Sequence, residues 1–332
     1  MWLLLFIGIL SMENPNSQTE IQSALQPAMI TPVPQPVSAQ PVVPPLPTPQ
    51  KMAASGNPLL RHFRQPALYI SLTSNGKFWA DGALELTATG EIPVYPMTAK
   101  DEIILKTPDA LVNGTSVVQV IQSCCPNIKN AWEMPSIDVD STLIAIRIAS
   151  FGPTMSVSAK CPHCEEEHDY EINLQHVRDQ VQSPNYDETI VTSDGVTIKL
   201  RPLTYNQISK AGSVALAEEK LIQSLSNNDI DDAVKASEFD KHLKKMIEIN
   251  VDNATACTGA VIADGNVVTD PAYIKEYYQN VESSVLRKIQ SKVKEYSDVV
   301  SIKPQPTLCT ACEKQFNLNI EFDYSRFFDS GF

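Results

Sequence analysis

Two Cys-x-x-Cys pairs, Cys161-Pro-His-Cys164 and Cys309-Thr-Ala-Cys312, hold the side chains of this sequence best suited to chemistry. Thiolates two residues apart converge from one tight turn, and a second such turn completes four soft ligands around a tetrahedral ion. Zinc is the default metal for four sulfurs, and four sulfurs leave no coordination position for water. The spacing therefore predicts one structural zinc per chain, held by Cys161, Cys164, Cys309 and Cys312. His163 and His168 stand near enough to replace a cysteine, but four thiolates already satisfy the geometry. The plainer alternative is four reduced thiols with no metal.

Redox chemistry is the rival. Cys161-Pro-His-Cys164 is also the motif of strongly oxidising thiol-disulfide oxidoreductases, whose first cysteine caps a helix that stabilises its thiolate. Here Glu165, Glu166 and Glu167 follow directly, and negative charge opposes a thiolate. The residues after them alternate as a strand does. The sequence also lacks Gly-x-Gly-x-x-Gly, the phosphate loop, Gly-x-Ser-x-Gly and His-Glu-x-x-His. No enzyme is expected, with thiol-disulfide exchange at Cys161 and Cys164 as the alternative function.

The elements that must aim these sulfurs read as strand, thiol turn, strand, twice over. Ser156–Lys160 and Asp169–Leu174 flank the first turn; Ser301–Lys303 and Phe316–Phe322 flank the second. Between the turns lies a long insert. Glu188–Thr192 and Val196–Leu200 form a hairpin about Asp194-Gly195. From Thr204 the pattern turns helical, with Val214, Ala217, Leu221, Ile222 and Leu225 on one face, a break at Ser226–Asp229 and a second helix over Asp231–Ile249. Pro271 suits the first turn of a third helix, and Leu286, Ile289 and Val293 mark a fourth.

Before the first thiol turn, Ala67–Leu72 reads as a strand closed by Ser74-Asn75-Gly76, with Lys77–Trp79 starting the return strand. Thr98 and Asp101 make a shortened capping box for a helix reaching Lys106, and Pro108 opens a second helical piece. Thr115–Ser123 and Asp140–Ser150 are further helices, the latter stopped by Gly152-Pro153. The fold class is α+β: a mixed N-terminal domain, then a zinc-ribbon-like β module with an inserted α-helical subdomain. The expected boundaries are a disordered Pro-rich tail over 1–56, an α+β domain over 57–153, a ribbon assembled from 154–203 and 301–332, and a helical insert over 204–300.

Composition narrows the partners. The 332 residues carry a formal charge of −13, which disfavours a nucleic-acid backbone binder. Seven cysteines, four of them in matched pairs, suit a reducing compartment. Cys124, Cys125 and Cys257 read as packing thiols. His62, His176 and His242 are isolated, Trp79 and Trp132 read as core or interface anchors, and Asp138 and Asp140 read as complements to a helix dipole. Met1–Leu10 is apolar but too short to span a bilayer, so no membrane contact is expected. Met12 is the expected initiator, with a short lipid- or partner-anchoring peptide as the alternative. Pro32–Pro49 reads as an extended tether, or more narrowly as a polyproline ligand. Phe327, Phe328 and Phe332 are either interface aromatics or packing residues.

An ordered series of segments points further. It comprises Asn57–Ile70, Gly76–Trp79, Pro96–Ile103, Thr107–Gly114, Val120–Ile128 and Leu143–Ala149. Together these resemble the baseplate proteins of T4-like contractile-tailed bacteriophages, in particular the baseplate hub subunit or hub-assembly protein, well over residues 57 to 180 and loosely over the remainder. The resemblance implies a non-enzymatic role in building the tail baseplate, as virion component or assembly chaperone. It also implies other baseplate hub proteins as partners, in the virion tail or in the host cytoplasm during assembly. It supplies no metal ligands, and it leaves the oligomeric state open.

Overall fold

Antiparallel pairing builds every sheet among the residues that the computed structural model describes: 59, 62–107, 114–214, 232–320 and 327–328, side chains of 232–240, 242 and 243 excepted. The Pro-rich tail, the Met12 start, the helical piece at Pro108, the break at 226–229, the His242 side chain and Phe332 lie outside that description. The chain divides into two units, and the named helices and strands all lie in the one that contains Arg64–Phe332.

In chain order the elements are β1 (Leu68–Ile70), β2 (Ile92–Val94), α1 (Ala99–Leu105), α2 (Thr115–Cys124), a 3-10 turn (Ala131–Glu133), α3 (Ser136–Phe151), β3 (Thr154–Lys160), β4 (Glu167–Asn173), α4 (Leu174–Asp179), β5 (Thr189–Val191) and β6 (Thr197–Leu200). Then follow α5 (Asp232–Ala256), β7 (Thr258–Ala263), β8 (Asn266–Val268), α6 (Pro271–Asn280), α7 (Ser283–Val300), β9 (Gln305–Leu308) and β10 (Gln315–Leu318). Residues 205–214 are also helical. The mixture is the expected α+β class.

Helix α3 is the axis of the first core. It is buried almost all round, as expected of a helix apolar on every face, and packs with Ile70, Val94, Val120, Ile121, Met134 and Leu174. It starts at Ser136, just after Pro135, and stops at Gly152, whose φ of +90° suits glycine. Within this core β1 does not return through Lys77–Trp79 as expected; its partner is β2, in the register Leu68↔Val94 and Ile70↔Ile92. The turn itself forms, with Asn75 and Gly76 at positive φ. The return is diverted because the buried Asp138 carboxylate on α3 takes the Ser74 backbone N–H (2.7 Å), the Ser74 hydroxyl (2.5 Å) and the Trp79 indole N–H (3.0 Å). Asp138 therefore does more than complement a helix dipole. The Thr98–Asp101 capping box is present on α1.

A second core lies in the insert. The hairpin β5–β6 extends into a four-stranded sheet, β5-β6-β7-β8, covered by α5, α6 and α7 through Val251, Ile274, Tyr278, Val285, Ile289 and Tyr296. Strands β7 and β8 are absent from the sequence expectation, although Asp264-Gly265 between Val261-Ile262 and Val267-Val268 is the same hairpin signal as Asp194-Gly195. Phe327 and Phe328 are buried in the first core, so of the two readings packing holds for them and the interface does not.

Candidate metal centre

Both thiol turns are the same backbone device. In the first, the Cys161 N–H donates to Glu166 O (2.9 Å) and the Glu165 N–H donates to Cys161 O (2.9 Å). In the second, Cys309 N–H donates to Lys314 O (3.0 Å) and Glu313 N–H donates to Cys309 O (3.0 Å). The residue after each second cysteine sits in the left-handed region, Glu165 at φ +62° and Glu313 at φ +57°. That kink folds each chain back so that the sulfurs of one turn face the same way.

Three links hold the hairpins together. At the base, Gln305 donates from Nε2 to Gln180 Oε1 (2.8 Å), just beyond α4, whose Leu174 and Val177 are seated in the first core. At mid-height the rings of Tyr170 on β4 and Phe316 on β10 meet edge to face, 5.5 Å between centroids. At the tip His163 Nε2 lies 3.3 Å from Gln315 O.

Beyond these links the four sulfurs gather. Cys161 Sγ lies 3.8 Å from Cys312 Sγ, and Cys164 Sγ lies 3.7 Å from Cys309 Sγ. All four ligand atoms fall within 4.8 Å of one another. These separations are far too long for disulfides, where sulfurs sit about 2 Å apart. The two pairs at 3.8 and 3.7 Å match the edge of a tetrahedron with metal–sulfur bonds of about 2.3 Å, which is about 3.8 Å. The four residues predicted from spacing are thus brought together, and they could hold a metal ion.

Backbone N–H groups, first that of Cys312 and then that of Ala311, draw the Cys309 thiol down to about 6 against burial. Cys164 accepts a backbone N–H from Glu166, yet burial and the neighbouring thiols push it up to about 12. Close thiols cannot all ionise alone; a divalent cation is the natural counter-charge.

Neither histidine belongs to the group. His163 reaches toward the opposite hairpin, and His168 lies 3.4 Å from the Glu166 carboxylate. Neither Cys-x-x-Cys unit heads a helix, because Cys161–Cys164 joins β3 to β4 and Cys309–Cys312 joins β9 to β10. The remaining cysteines pack as expected: Cys124, Cys125 and Cys257 are buried, and burial pushes Cys124 and Cys257 up to about 12. His176 is exposed beside Gln180, while Trp79 and Trp132 pack against the first core. Tyr170 escaped notice in the sequence, since its alternation in β4 marks it only as inward-facing. Burial, then its contact with Cys309, pushes its hydroxyl up to about 12. No helix among the described residues is long and apolar enough to cross a membrane.

Among known proteins, a family model described as T4 bacteriophage base plate protein matches residues 72–329, more than three quarters of the chain. No curated protein and no solved structure matches.

Proposed function

The chain belongs to the T4 bacteriophage base plate protein family, and from that premise we propose that it works by binding, as a baseplate hub component or hub-assembly factor whose ribbon is held by one structural zinc. Its partners are other hub proteins, and it acts in the virion tail or in the host cytoplasm during assembly. The family match carries this reading. The four-sulfur geometry supports the metal, and zinc is the ion that four thiolates favour without open coordination or redox change. A closed site of this kind is structural, so the reading is non-enzymatic. The charge of −13 weighs against nucleic acid as a partner.

A pull-down from infected cells, with metal analysis of the same sample, tests this. Recovery with baseplate hub proteins at one zinc per chain supports it. Recovery without any baseplate protein overturns the binding role, and a metal-free chain that exchanges disulfides through Cys161 favours the oxidoreductase alternative.

The domain division is also proposed: a tail over 1–56, an α+β domain over 57–153, a ribbon from 154–203 and 301–332, and an insert over 204–300. The ladder between β6 and β7 ties the end of the first ribbon piece to the insert, so that boundary is the one to probe. Limited proteolysis with mass mapping tests it: early cuts near 203 and 301 support the division, and cuts confined to other loops reject it.

A further inference from the structure

The Tyr170 side chain is buried on β4, with its ring edge to face against Phe316 of the other hairpin. Its hydroxyl is buried without a hydrogen-bond partner of ordinary geometry. A phenol in that position costs free energy unless something accepts its proton. β4 leaves the first thiol turn and β10 the second, and the Cys309 side chain is the polar group in contact with the hydroxyl.

We propose that Tyr170 is a positioning residue for the metal centre, its O–H donating to the Cys309 thiolate once a metal ionises the cluster. This rests on reading the four sulfurs as a metal site. A bound thiolate keeps lone pairs directed away from the metal, and an outer donor fixes its orientation and drains charge from it. The backbone hydrogen bonds of Cys309, its N–H to Lys314 O and its carbonyl from Glu313 N–H, are all local to the second hairpin. Tyr170 supplies the donor from the first hairpin. It thereby couples β4 to the β9–β10 turn through the ligand itself, besides the ring contact with Phe316. An orphaned hydroxyl in the metal-free chain becomes a satisfied one in the loaded chain.

The probe is Co(II), loaded into the full chain as wild type, Tyr170→Phe and Phe316→Leu. The wild type is expected to show tetrahedral tetrathiolate absorption. Tyr170→Phe keeps the ring but loses the donor: its sulfur-to-cobalt charge-transfer band should move to lower energy, and its metal affinity in chelator competition should fall by about 10–100-fold. Phe316→Leu removes packing only and should leave the band in place while lowering thermal stability. A wild-type chain that takes up no cobalt overturns the metal reading, and this inference with it. A normal wild-type spectrum that Tyr170→Phe reproduces in band position and affinity overturns the inference alone. A Tyr170→Phe chain that merely melts earlier, as Phe316→Leu does, assigns Tyr170 to packing and also overturns it.

Discussion

Cys161 and Cys312 stand 151 residues apart in the chain and 3.8 Å apart at their sulfurs. Chain physics tolerates so long an insertion, because each doubling of a closed loop costs only about 0.6 kcal/mol. The core around Tyr278 and Ile289 also takes in Ile198 and Leu200 of β6, so the insert is stabilised on the β5–β6 hairpin and need not draw on the two thiol hairpins. Two short hairpins offer little core of their own, and a metal joining their tips would offset that deficit.

Metal removal should therefore loosen the ribbon first. Chelation, or Cys312→Ser, is expected to lower the melting temperature and to open cleavage sites within 154–173 and 305–318. The thiols of Cys161, Cys164, Cys309 and Cys312 should become reactive, while Cys124, Cys125 and Cys257 stay protected until the fold is lost. Thiol titration before and after chelation, with peptide mapping, checks this; equal reactivity in both states refutes it.

Asp138→Asn should destabilise the first core. The change keeps the shape but replaces an acceptor of three hydrogen bonds from Ser74 and Trp79 with an amide that can serve only some of them. A loss of about 1–3 kcal/mol is expected in urea unfolding.

The same carboxyl gives that loss a pH dependence. Burial pushes Asp138 up to about 6, against the hydrogen bonds from Ser74, Trp79 and Thr73 that lower it. Its folded value thus exceeds the ordinary 3.8, so its contribution is fully present below that value and fades as pH rises through about 6. The stability gap between wild type and Asp138→Asn should narrow from pH 4 to pH 7. A gap that widens over that range would falsify the assignment.

Glu313→Gly should stabilise the chain. Glu313 holds φ at +57°, a conformation that costs a side chain about 1–2 kcal/mol, offset in part by the greater freedom of glycine when unfolded. A net gain of about 0.5–1 kcal/mol is expected. Glu313→Gln, which removes charge but not the Cβ, should change little; an equal gain from both variants would trace the effect to charge.

Phe328→Ala should cost about 3–5 kcal/mol, the usual loss for a buried aromatic. Phe328 sits in the first core beside Phe327, whose carbonyl accepts from Arg147 Nε at 3.0 Å. The expected defect is thermal, with binding to baseplate partners retained below the melting transition. Lost binding in a fully folded variant would restore the interface reading.

Local signals were legible wherever neighbouring residues set the outcome. The Thr98–Asp101 box, the Asp194-Gly195 hairpin, Pro271 at a helix start and the Gly152 stop each act within a few residues, and each appears in the structure. Asp264-Gly265 carried the same hairpin signal and was hidden by the helices on either side. Alpha-helix α4 was missed because Leu174 continues the apolar alternation of β4, although Asn173 caps it by accepting from Gln175 and His176 N–H groups.

The sequence alone determined which four side chains were candidates for a metal, since Cys-x-x-Cys spacing is a property of one turn and needs nothing remote. Only the tertiary structure decided that β1 pairs with β2, that Asp138 is buried under Ser74 and Trp79, that Phe328 is core, and that the Tyr170 hydroxyl is buried without a partner. Each of these depends on which distant surfaces are dehydrated together. Burial of that kind is a property of the packed assembly and leaves no mark in the periodicity of any one segment.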